Sequence, residues 1–377
     1  MSQRLVSLDA FRGFTIAAML LVNNPGDWGH LYGPLTHAKW DGWTFTDTIF
    51  PFFVFISGVA MTLSLGQRAA LGHDKRHLLM HTLQRGAIII AIGLLLNFVP
   101  AFDLATVRIP GVLQRLGLCA MLAAPIVLYS SWRGQLNWCV GLLAVYTSIQ
   151  TTVAVPDALG VWHTASWLPG EDVGAWVDRA LMDGHLWRAS KTWDPEGLLS
   201  TLPALATQLA GVLTGHWLLA QRTPPEKTRA MLIAGLGLLC MGQLLGAVSM
   251  PINKSLWTPA YVLFMAGWSC VVFAGMYGLL DAAPQAGVRR RATVLAQPLV
   301  VFGMNALFLF ALSGLIAKML GFIQTAQGQT LKAVLYGPIA SAGMAPQNAS
   351  LLFAMGFTLC MYGIAWGMWR KGWFIKV

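Results

Sequence analysis

The chain has 377 residues, of which 56% are hydrophobic and only 11% are charged, and its mean hydropathy is +0.60. An ordinary soluble domain carries about 25% charged residues, so this chain has too few charges to cover a soluble surface. The composition nearly excludes a cytosolic enzyme, a disordered protein and a secreted disulfide scaffold. It predicts an all-α polytopic membrane protein.

The net charge of +10 comes from 25 Lys and Arg against 15 Asp and Glu. These basic residues are scattered between apolar stretches and form no basic domain, so we expect no nucleic-acid partner. We interpret them through the positive-inside rule, under which the short cytoplasmic loops of a membrane protein are enriched in Lys and Arg.

The cysteines and a group of histidines bear on metal binding. The five Cys are odd in number and contain no CxxC pair, which indicates neither a disulfide framework nor a zinc site. His73, His77 and His81 are spaced four apart and could hold a metal, but charged neighbours favour a solvated helix face. We therefore expect no metal site.

Ten apolar stretches are long enough for membrane-spanning helices, which need about 20 residues each. They are 5–23, 48–66, 83–101, 112–130, 138–154, 199–219, 230–248, 259–280, 298–320 and 350–370. Uniformly apolar runs of this length are typical of helices and not of strands, in which apolar and polar residues would alternate.

The connections between these stretches alternate between two faces of the membrane, and one face is enriched in basic residues. The basic residues on that face are Arg68, Lys75, Arg76, Arg133, Arg222, Lys227, Arg229, Arg289, Arg290, Arg291, Arg370, Lys371 and Lys376. We predict this face to be cytoplasmic, with both termini on it. We also predict one domain, 1–377, whose long outer connection 155–198 folds over the outer mouth of the bundle.

Ionisable residues inside a membrane are costly, and each is a candidate functional residue. Asp9 and Arg12 in the first stretch are three residues apart and lie on one helix face. This spacing fits a structural ion pair near the cytoplasmic boundary or a direct contact with a ligand.

The densest polar segment follows the first stretch and ends at the second. Within it, His37 is the natural proton acceptor, because an unperturbed histidine has a pKa of about 6.5. Asp47 or Asp41 could orient the imidazole, and Asn23 could donate a hydrogen bond to an oxyanion. The alternative is a surface loop whose polar residues merely face water.

Four further polar segments are expected to converge at the outer face, namely 108–115, 193–197, 251–254 and 303–305. Proline and glycine at helix starts would explain each segment taken alone. The tryptophans Trp40, Trp193 and Trp257 beside them suit stacking on a sugar, although Trp is also common in interfacial belts.

Taken together, the motifs resemble the heparan-α-glucosaminide N-acetyltransferase family. The first three are 7–13 (SLDAFRG), 37–42 (HAKWDG) and 50–55 (FPFFVF), and four more follow in order along the chain. Those four are 109–116 (IPGVLQRL), 194–197 (DPEG), 251–254 (PINK) and 303–305 (GMN). The combination is specific, whereas the LDxxRG element alone also resembles other membrane acyltransferases.

The resemblance implies a reaction and three active residues. The lysosomal relative moves an acetyl group from cytosolic acetyl-CoA across the membrane to the terminal glucosamine amine of heparan sulfate. Its active histidine lies in the HAxW element, which implies His37 here. The asparagine of the VN element implies Asn23, and an aspartate ten residues after the histidine implies Asp47.

We therefore predict a bacterial inner-membrane enzyme that transfers acetyl from cytoplasmic acetyl-CoA to a glucosamine-type amine at the periplasmic face. His37 would act as general base or as acetyl carrier. The residues assigned to acetyl-CoA are Arg12, Arg85, Arg289, Arg290 and Asn305. Those assigned to the amino sugar are Trp40, Asp41, Arg115, Asp194, Glu196, Asn253 and Lys254. The alternative is an inner-membrane transporter of N-acetylglucosamine-type sugars, and the resemblance also admits a homodimer.

Overall fold

The computed structural model describes residues 5–375, which are mainly helical; the predicted cytoplasmic charge at Lys376 lies outside them. In chain order the helices are α1 (Val6–Asn23), α2 (Phe45–Met61), α3 (Gln67–Ala70), α4 (Lys75–Phe98), α5 (Val112–Tyr129), α6 (Trp132–Thr152), α7 (Val173–Met182), α8 (Thr201–Leu219), α9 (Pro224–Val248), α10 (Pro259–Leu280), α11 (Ala286–Met304), α12 (Ala306–Phe322), α13 (Leu331–Ala340) and α14 (Pro346–Arg370). A π-helical segment, Thr62–Gly66, continues α2 into α3. Strands β1 (Val155–Pro156) and β2 (Trp162–His163) pair antiparallel, with Val155 opposite His163.

Short sequence signals begin several of these helices. Thr44 and Asp47 form a capping box at the start of α2. The Thr44 side chain accepts the backbone N–H of Asp47, and the Asp47 side chain accepts the backbone N–H of Thr44. Thr223 and Glu226 form the same arrangement at α9. Helices α9, α10 and α14 have proline in the first turn, where its missing N–H costs nothing.

The centre of the bundle is built from α1, α2, α8 and α10. An aromatic cluster joins three of these helices: the ring of Phe11 lies 5.3 Å from Phe52 and 5.8 Å from Phe273. Phe11 and Phe273 are completely buried. In helices α4, α9 and α14, by contrast, fewer than a quarter of the residues in the apolar span are buried inside the protein, as expected of helices that face lipid.

Two glycines bring α2 and α8 into backbone contact. A Cβ atom on Gly58 would lie 2.0 Å from the carbonyl oxygen of Gln208, and one on Gly211 would lie 1.9 Å from that of Phe55. No side chain fits at either position, so glycine sets the distance between the two helices, as small residues commonly do in membrane bundles.

The prediction of an all-α polytopic membrane protein is confirmed, and each of the ten apolar stretches overlaps a helix. The count of ten spans is not. Within residues 5–375, seven helices are long and apolar enough to cross a membrane, or eight if one bent pair counts as a span. Helices α6 and α8 are outside the seven. The ten spans and the cytoplasmic termini stay predictions.

The bent pair replaces the ninth predicted span, 298–320. Helices α11 and α12 meet at Asn305 with a bend of 71°. The Asn305 amide donates to the carbonyl of Trp373 at 3.0 Å, and its oxygen accepts the N–H of Ile375 at 2.9 Å. The side chain therefore ties the bend to the segment that follows α14.

Three of the four polar segments expected at one face do meet there, but the fourth does not. Arg108 reaches Asp194, and Lys254 reaches His37, so segments 108–115, 193–197 and 251–254 lie at the His37 end of the bundle. A Cβ on Gly303 would lie 2.0 Å from the carbonyl of Asp9. Segment 303–305 therefore packs on the first half of α1, whereas His37 follows the end of that helix.

Candidate active site

The centre of the candidate site is a pair formed by His37 and Asp47. The Asp47 carboxylate is 1% exposed, and one of its oxygens lies 2.6 Å from Nδ1 of His37. Its other oxygen accepts the backbone N–H groups of Ala38 at 2.9 Å and Thr44 at 3.0 Å. An ionised carboxylate only accepts hydrogen bonds, so Nδ1 carries the proton and Nε2 keeps its lone pair.

Residues on two helices hold this pair in place. Asp47 is the third residue of α2, where the capping box fixes its side chain. The hydroxyl of Tyr261, from α10, donates to the Asp47 backbone carbonyl at 2.7 Å and is completely buried. The imidazole itself is half exposed. The buried Asp47 carboxylate thus orients the His37 imidazole, which stays accessible to solvent.

A lysine from a distant part of the chain lies beside the imidazole. The Nζ atom of Lys254 is 3.1 Å from Nδ1 and 3.4 Å from Nε2 of His37, and 3.6 Å from a carboxylate oxygen of Asp47. Burial lowers the pKa of the Lys254 ammonium below its ordinary value, although the negative charges of Asp47 and Glu196 oppose this. The site thus combines an imidazole, a carboxylate and a primary amine.

Asn253 places this lysine. It is fully buried, and its amide donates to the carbonyl of Trp40 and to the carboxylate of Asp41, both at 3.1 Å. Its side-chain oxygen accepts the N–H of Leu256 at 3.0 Å. These bonds join the 251–254 segment to the segment that carries His37. In this conformation Asn253 has a positioning contact where a sugar contact was expected.

The 193–197 segment carries a second charged network. Arg108 donates to both oxygens of Asp194, at 2.8 and 2.5 Å, and to Glu196 at 2.5 Å. Burial opposes the charge on Arg108, but the bonds from Asp194 and Glu196 raise its pKa above the ordinary value. The Asp194 carboxylate is 0% exposed. Both acids therefore bind Arg108 in this conformation and do not face an open sugar site.

Arg115 supports the same segment from beneath. Its side chain is 1% exposed and donates to the carbonyls of Pro195 at 3.0 Å and Gly197 at 2.8 Å. It also contacts the hydroxyl of Ser200, and its guanidinium lies 5.0 Å from the ring centre of Trp257. Arg115 therefore holds the backbone of the 193–197 segment from inside the protein. From the sequence, a contact between Arg115 and the sugar was expected.

Aromatic side chains join the connection 155–198 to the His37 segment. The Trp40 indole donates to the carbonyl of Trp167 at 2.7 Å, and its ring meets Trp193 edge-on at 5.1 Å. The connection has its own fold, because Arg179 of α7 donates to three backbone carbonyls within it. The tryptophans thus form a wall beside the site.

Asn23, the predicted oxyanion donor, is the last residue of α1 and its side chain is exposed. In the described part of the chain, no hydrogen bond connects it to His37. The neighbouring Asn24 is buried and donates to the carbonyl of Leu20 at 2.8 Å. The role of Asn23 stays a prediction.

The residues assigned to acetyl-CoA lie away from His37. Arg12 pairs with Asp9 at 3.6 Å, and Asn305 binds the segment after α14. The side chains of Arg289 and Arg290 are exposed in the first turns of α11. Arg85 is exposed on α4. Arg12 lies in the first half of α1 and His37 follows the end of this helix, whose 18 residues span about 27 Å at about 1.5 Å per residue.

Two contacts of the site were absent from the sequence prediction. The role of Thr44 was readable, because Thr44-x-x-Asp47 matches the capping-box pattern. The approach of Lys254 to His37 was not readable, because it depends on how two segments more than 200 residues apart pack together.

The fold and the site define a multi-pass helical membrane protein with a His–Asp pair at one end of its bundle. The family model described as "Heparan-alpha-glucosaminide N-acetyltransferase, catalytic" matches residues 4–170, which include Asn23, His37 and Asp47. These matches confirm the predicted resemblance to the heparan-α-glucosaminide N-acetyltransferase family.

Two curated relatives extend the match beyond residue 170. The chain is 27% identical over 333 residues to heparan-alpha-glucosaminide N-acetyltransferase of Homo sapiens, covering 74% of this chain and 49% of the relative. The match to the Mus musculus protein of the same name is also 27% over 333 residues, covering 74% and 50%. The chain thus spans about half the length of the curated relatives it matches. Their names do not favour the transporter alternative.

Proposed function

We propose that this protein is a transmembrane acetyltransferase that moves an acetyl group from acetyl-CoA to the amine of a glucosamine-type sugar. The observation that carries the proposal is the His37–Asp47 pair, in which Nδ1 is bound to a buried carboxylate and Nε2, 3.4 Å from the Lys254 amine, keeps its lone pair. This is the arrangement of an oriented base or nucleophile. The relatives' names supply the reaction class.

In the direct route, Nε2 of His37 takes a proton from the ammonium of the acceptor, because a protonated amine has no lone pair. The amine nitrogen then attacks the thioester carbon of acetyl-CoA. The tetrahedral oxyanion collapses with cleavage of the C–S bond, and CoA leaves as a thiol after taking a proton. Asp47 keeps the imidazole in one tautomer and stabilises the imidazolium.

In the two-step route, Nε2 itself attacks the thioester and carries the acetyl group before the amine receives it. Both routes use the same Nδ1–H bond to Asp47. We propose Asn23 as the oxyanion donor in either route, which requires its exposed side chain to move toward the ring.

We propose that the acceptor approaches from the solvent side of His37. The exposed Asp41 carboxylate would attract a cationic amino sugar, and the Trp40 and Trp193 rings would form the apolar wall of its site. Asp194, Glu196, Asn253 and Arg115 would act by holding this wall and Lys254 in place. This end of the bundle would face the periplasm of a bacterial inner membrane, covered by the connection 155–198.

For acetyl-CoA, we propose that the nucleotide end binds at the opposite face of the bundle. The exposed Arg289 and Arg290 suit its phosphates, with Arg12, Arg85 and Asn305 nearer the bundle. The thin pantetheine arm would then run between helices toward His37. A homodimer is compatible with this arrangement and stays a proposal.

The test uses purified protein in lipid nanodiscs with labelled acetyl-CoA and glucosamine. We expect labelled N-acetylglucosamine, and its loss in His37→Ala. A quenched mass spectrum with acetyl on His37 would support the two-step route, whereas a trapped ternary complex would support direct attack. No transfer to any amino sugar, together with sugar uptake by loaded vesicles, would overturn the proposal in favour of a transporter.

A further inference from the structure

The amine of Lys254 occupies the space beside His37 in which an acceptor amine would react. Its Nζ is nearly equidistant from the two ring nitrogens, at 3.1 and 3.4 Å. Reacting atoms in productive near-attack geometries are about 3–3.5 Å apart. An acetyl group delivered to Nε2 would therefore be within reach of this lysine without a large movement of the chain.

The surroundings of Lys254 also favour its reactive form. Its side chain is only 19% exposed, and burial lowers its pKa, against the attraction of Asp47 and Glu196. A larger share of neutral amine makes a lysine more nucleophilic. Lys39 offers a contrast, because it lies in the same loop as His37 but has an exposed side chain.

We propose that Lys254 is an acetylation site of the protein itself, and that its amine accepts the acetyl group at His37 when no sugar is bound. This inference rests on the proposed use of acetyl-CoA. The ligand is the acetyl donor, and the product is an Nε-acetyl-lysine at position 254.

The step balances without any further reagent. The Lys254 ammonium gives one proton to Nε2 of His37, and the neutral Nζ attacks the acetyl carbonyl. The thioester C–S bond breaks and an amide C–N bond forms, and the His37 imidazolium returns its proton to the leaving sulfur, so that CoA leaves as the thiol and the imidazole is neutral again. The second proton lost by the nitrogen passes to solvent. If His37 carries the acetyl group first, the same amide forms and the imidazole is released.

Acetylation at this position would reduce transfer to the sugar. Acetyl-lysine has no positive charge, so its attraction to Asp47 across 3.6 Å would be lost. The added acetyl group would also fill space beside the imidazole. We therefore expect a slow decline of activity when the enzyme is incubated with acetyl-CoA alone, and protection when glucosamine is present.

The experiment incubates the full chain in nanodiscs with labelled acetyl-CoA, without acceptor, and measures the label on Lys254 and Lys39 by peptide mass spectrometry. We expect Lys254 to be labelled at least about tenfold faster than Lys39, and glucosamine to slow the labelling of Lys254 alone. Label on Lys254 no faster than on Lys39, or unaffected by glucosamine, would overturn the inference.

Two variants add independent readouts. In His37→Gln, labelling of Lys254 should fall to the rate of Lys39; an unchanged rate would contradict a role for His37. In Lys254→Arg, which keeps the charge but has no acylatable amine, the decline during preincubation should disappear, whatever the starting rate.

The result also separates this inference from the proposed function. Transfer to glucosamine without label at Lys254 overturns the self-acetylation alone. Absence of both transfer and label overturns both proposals.

Discussion

The carboxylate of Asp47 accepts the Nδ1–H of His37 at 2.6 Å and, with its other oxygen, caps the first turn of helix α2. One buried side chain thus starts a membrane helix and orients the imidazole. The start of helix α2 therefore also holds His37 in its orientation. We expect any change at Asp47 to affect both the stability of the protein and the reactivity of the imidazole.

Asp47→Asn should lower the rate of transfer far more than it lowers affinity for acetyl-CoA. An amide can donate as well as accept, so it no longer requires a proton on Nδ1 and no longer stabilises an imidazolium. We expect kcat to fall on the order of 10²-fold or more, with KM for acetyl-CoA nearly unchanged. Steady-state kinetics with labelled acetyl-CoA would measure both.

Thr44→Ala is the matched control for that variant. It removes a hydroxyl that lies 3.1 Å from one carboxylate oxygen of Asp47. The other carboxylate oxygen, which binds His37, keeps its hydrogen bond. Loss of a cap of this kind costs about 1 kcal/mol. We expect a lower thermal stability with activity within a few-fold of wild type. An activity loss equal to that of Asp47→Asn would refute a separate role for the aspartate.

Arg108→Gln should destabilise the His37 end of the protein. The change leaves Asp194 and Glu196, whose side chains are 0% and 8% exposed, without their cation. Removing one partner of a buried pair costs about 3–5 kcal/mol. Thermal unfolding in detergent would measure the loss. Adding Asp194→Asn should restore part of it, and strictly additive losses would show that the pair is not coupled.

The sequence predicted the class of fold and the histidine for different physical reasons. Apolar runs must be helical in a membrane because each backbone group needs a partner, so composition and length identify them. The family motifs pointed to His37 and Asp47, and the two side chains do meet; their catalytic roles stay predictions. The 71° bend at Asn305 could not be derived from the pattern of apolar stretches, because helix-breaking residues are common in membrane helices and the size of a bend depends on packing. The contacts of Arg115 and Asp194 also depend on tertiary packing.

Asp178 of α7 should make stability depend on pH. Burial raises its pKa from 3.8 to about 7, against the hydrogen bond from the N–H of Leu198, and the charges of Asp194 and Asp172 add to the rise. Arg115 acts in the opposite direction. Between about pH 4 and 7 the folded state holds this proton more tightly than the unfolded state. The contribution of Asp178 to the free energy of unfolding therefore falls as the pH rises through this window, and it levels off above about pH 7.

The variant Asp178→Asn removes this titration while its side-chain oxygen still accepts the Leu198 N–H, a bond of 2.9 Å. We expect the variant to exceed wild type in unfolding free energy at pH 8 by roughly 1–4 kcal/mol. The difference should shrink toward zero at pH 4. Thermal unfolding across this range tests it, and a difference that does not change with pH would contradict the assignment.

Asn305 offers a choice between two roles, as an anchor of the chain end or as a contact of acetyl-CoA. Its amide makes two hydrogen bonds to the backbone of Trp373 and Ile375, and loss of such buried bonds costs about 1–3 kcal/mol. If Asn305 is an anchor, Asn305→Ala should lower thermal stability and expose the residues after α14 to protease. The KM for acetyl-CoA should stay nearly unchanged. The variant to compare with Asn305→Ala is the double variant Arg289→Gln/Arg290→Gln, which removes two exposed charges proposed to bind phosphate. This double variant should raise the KM for acetyl-CoA in a salt-dependent way, with thermal stability preserved. A raised KM in Asn305→Ala without loss of stability would instead assign Asn305 to the cofactor.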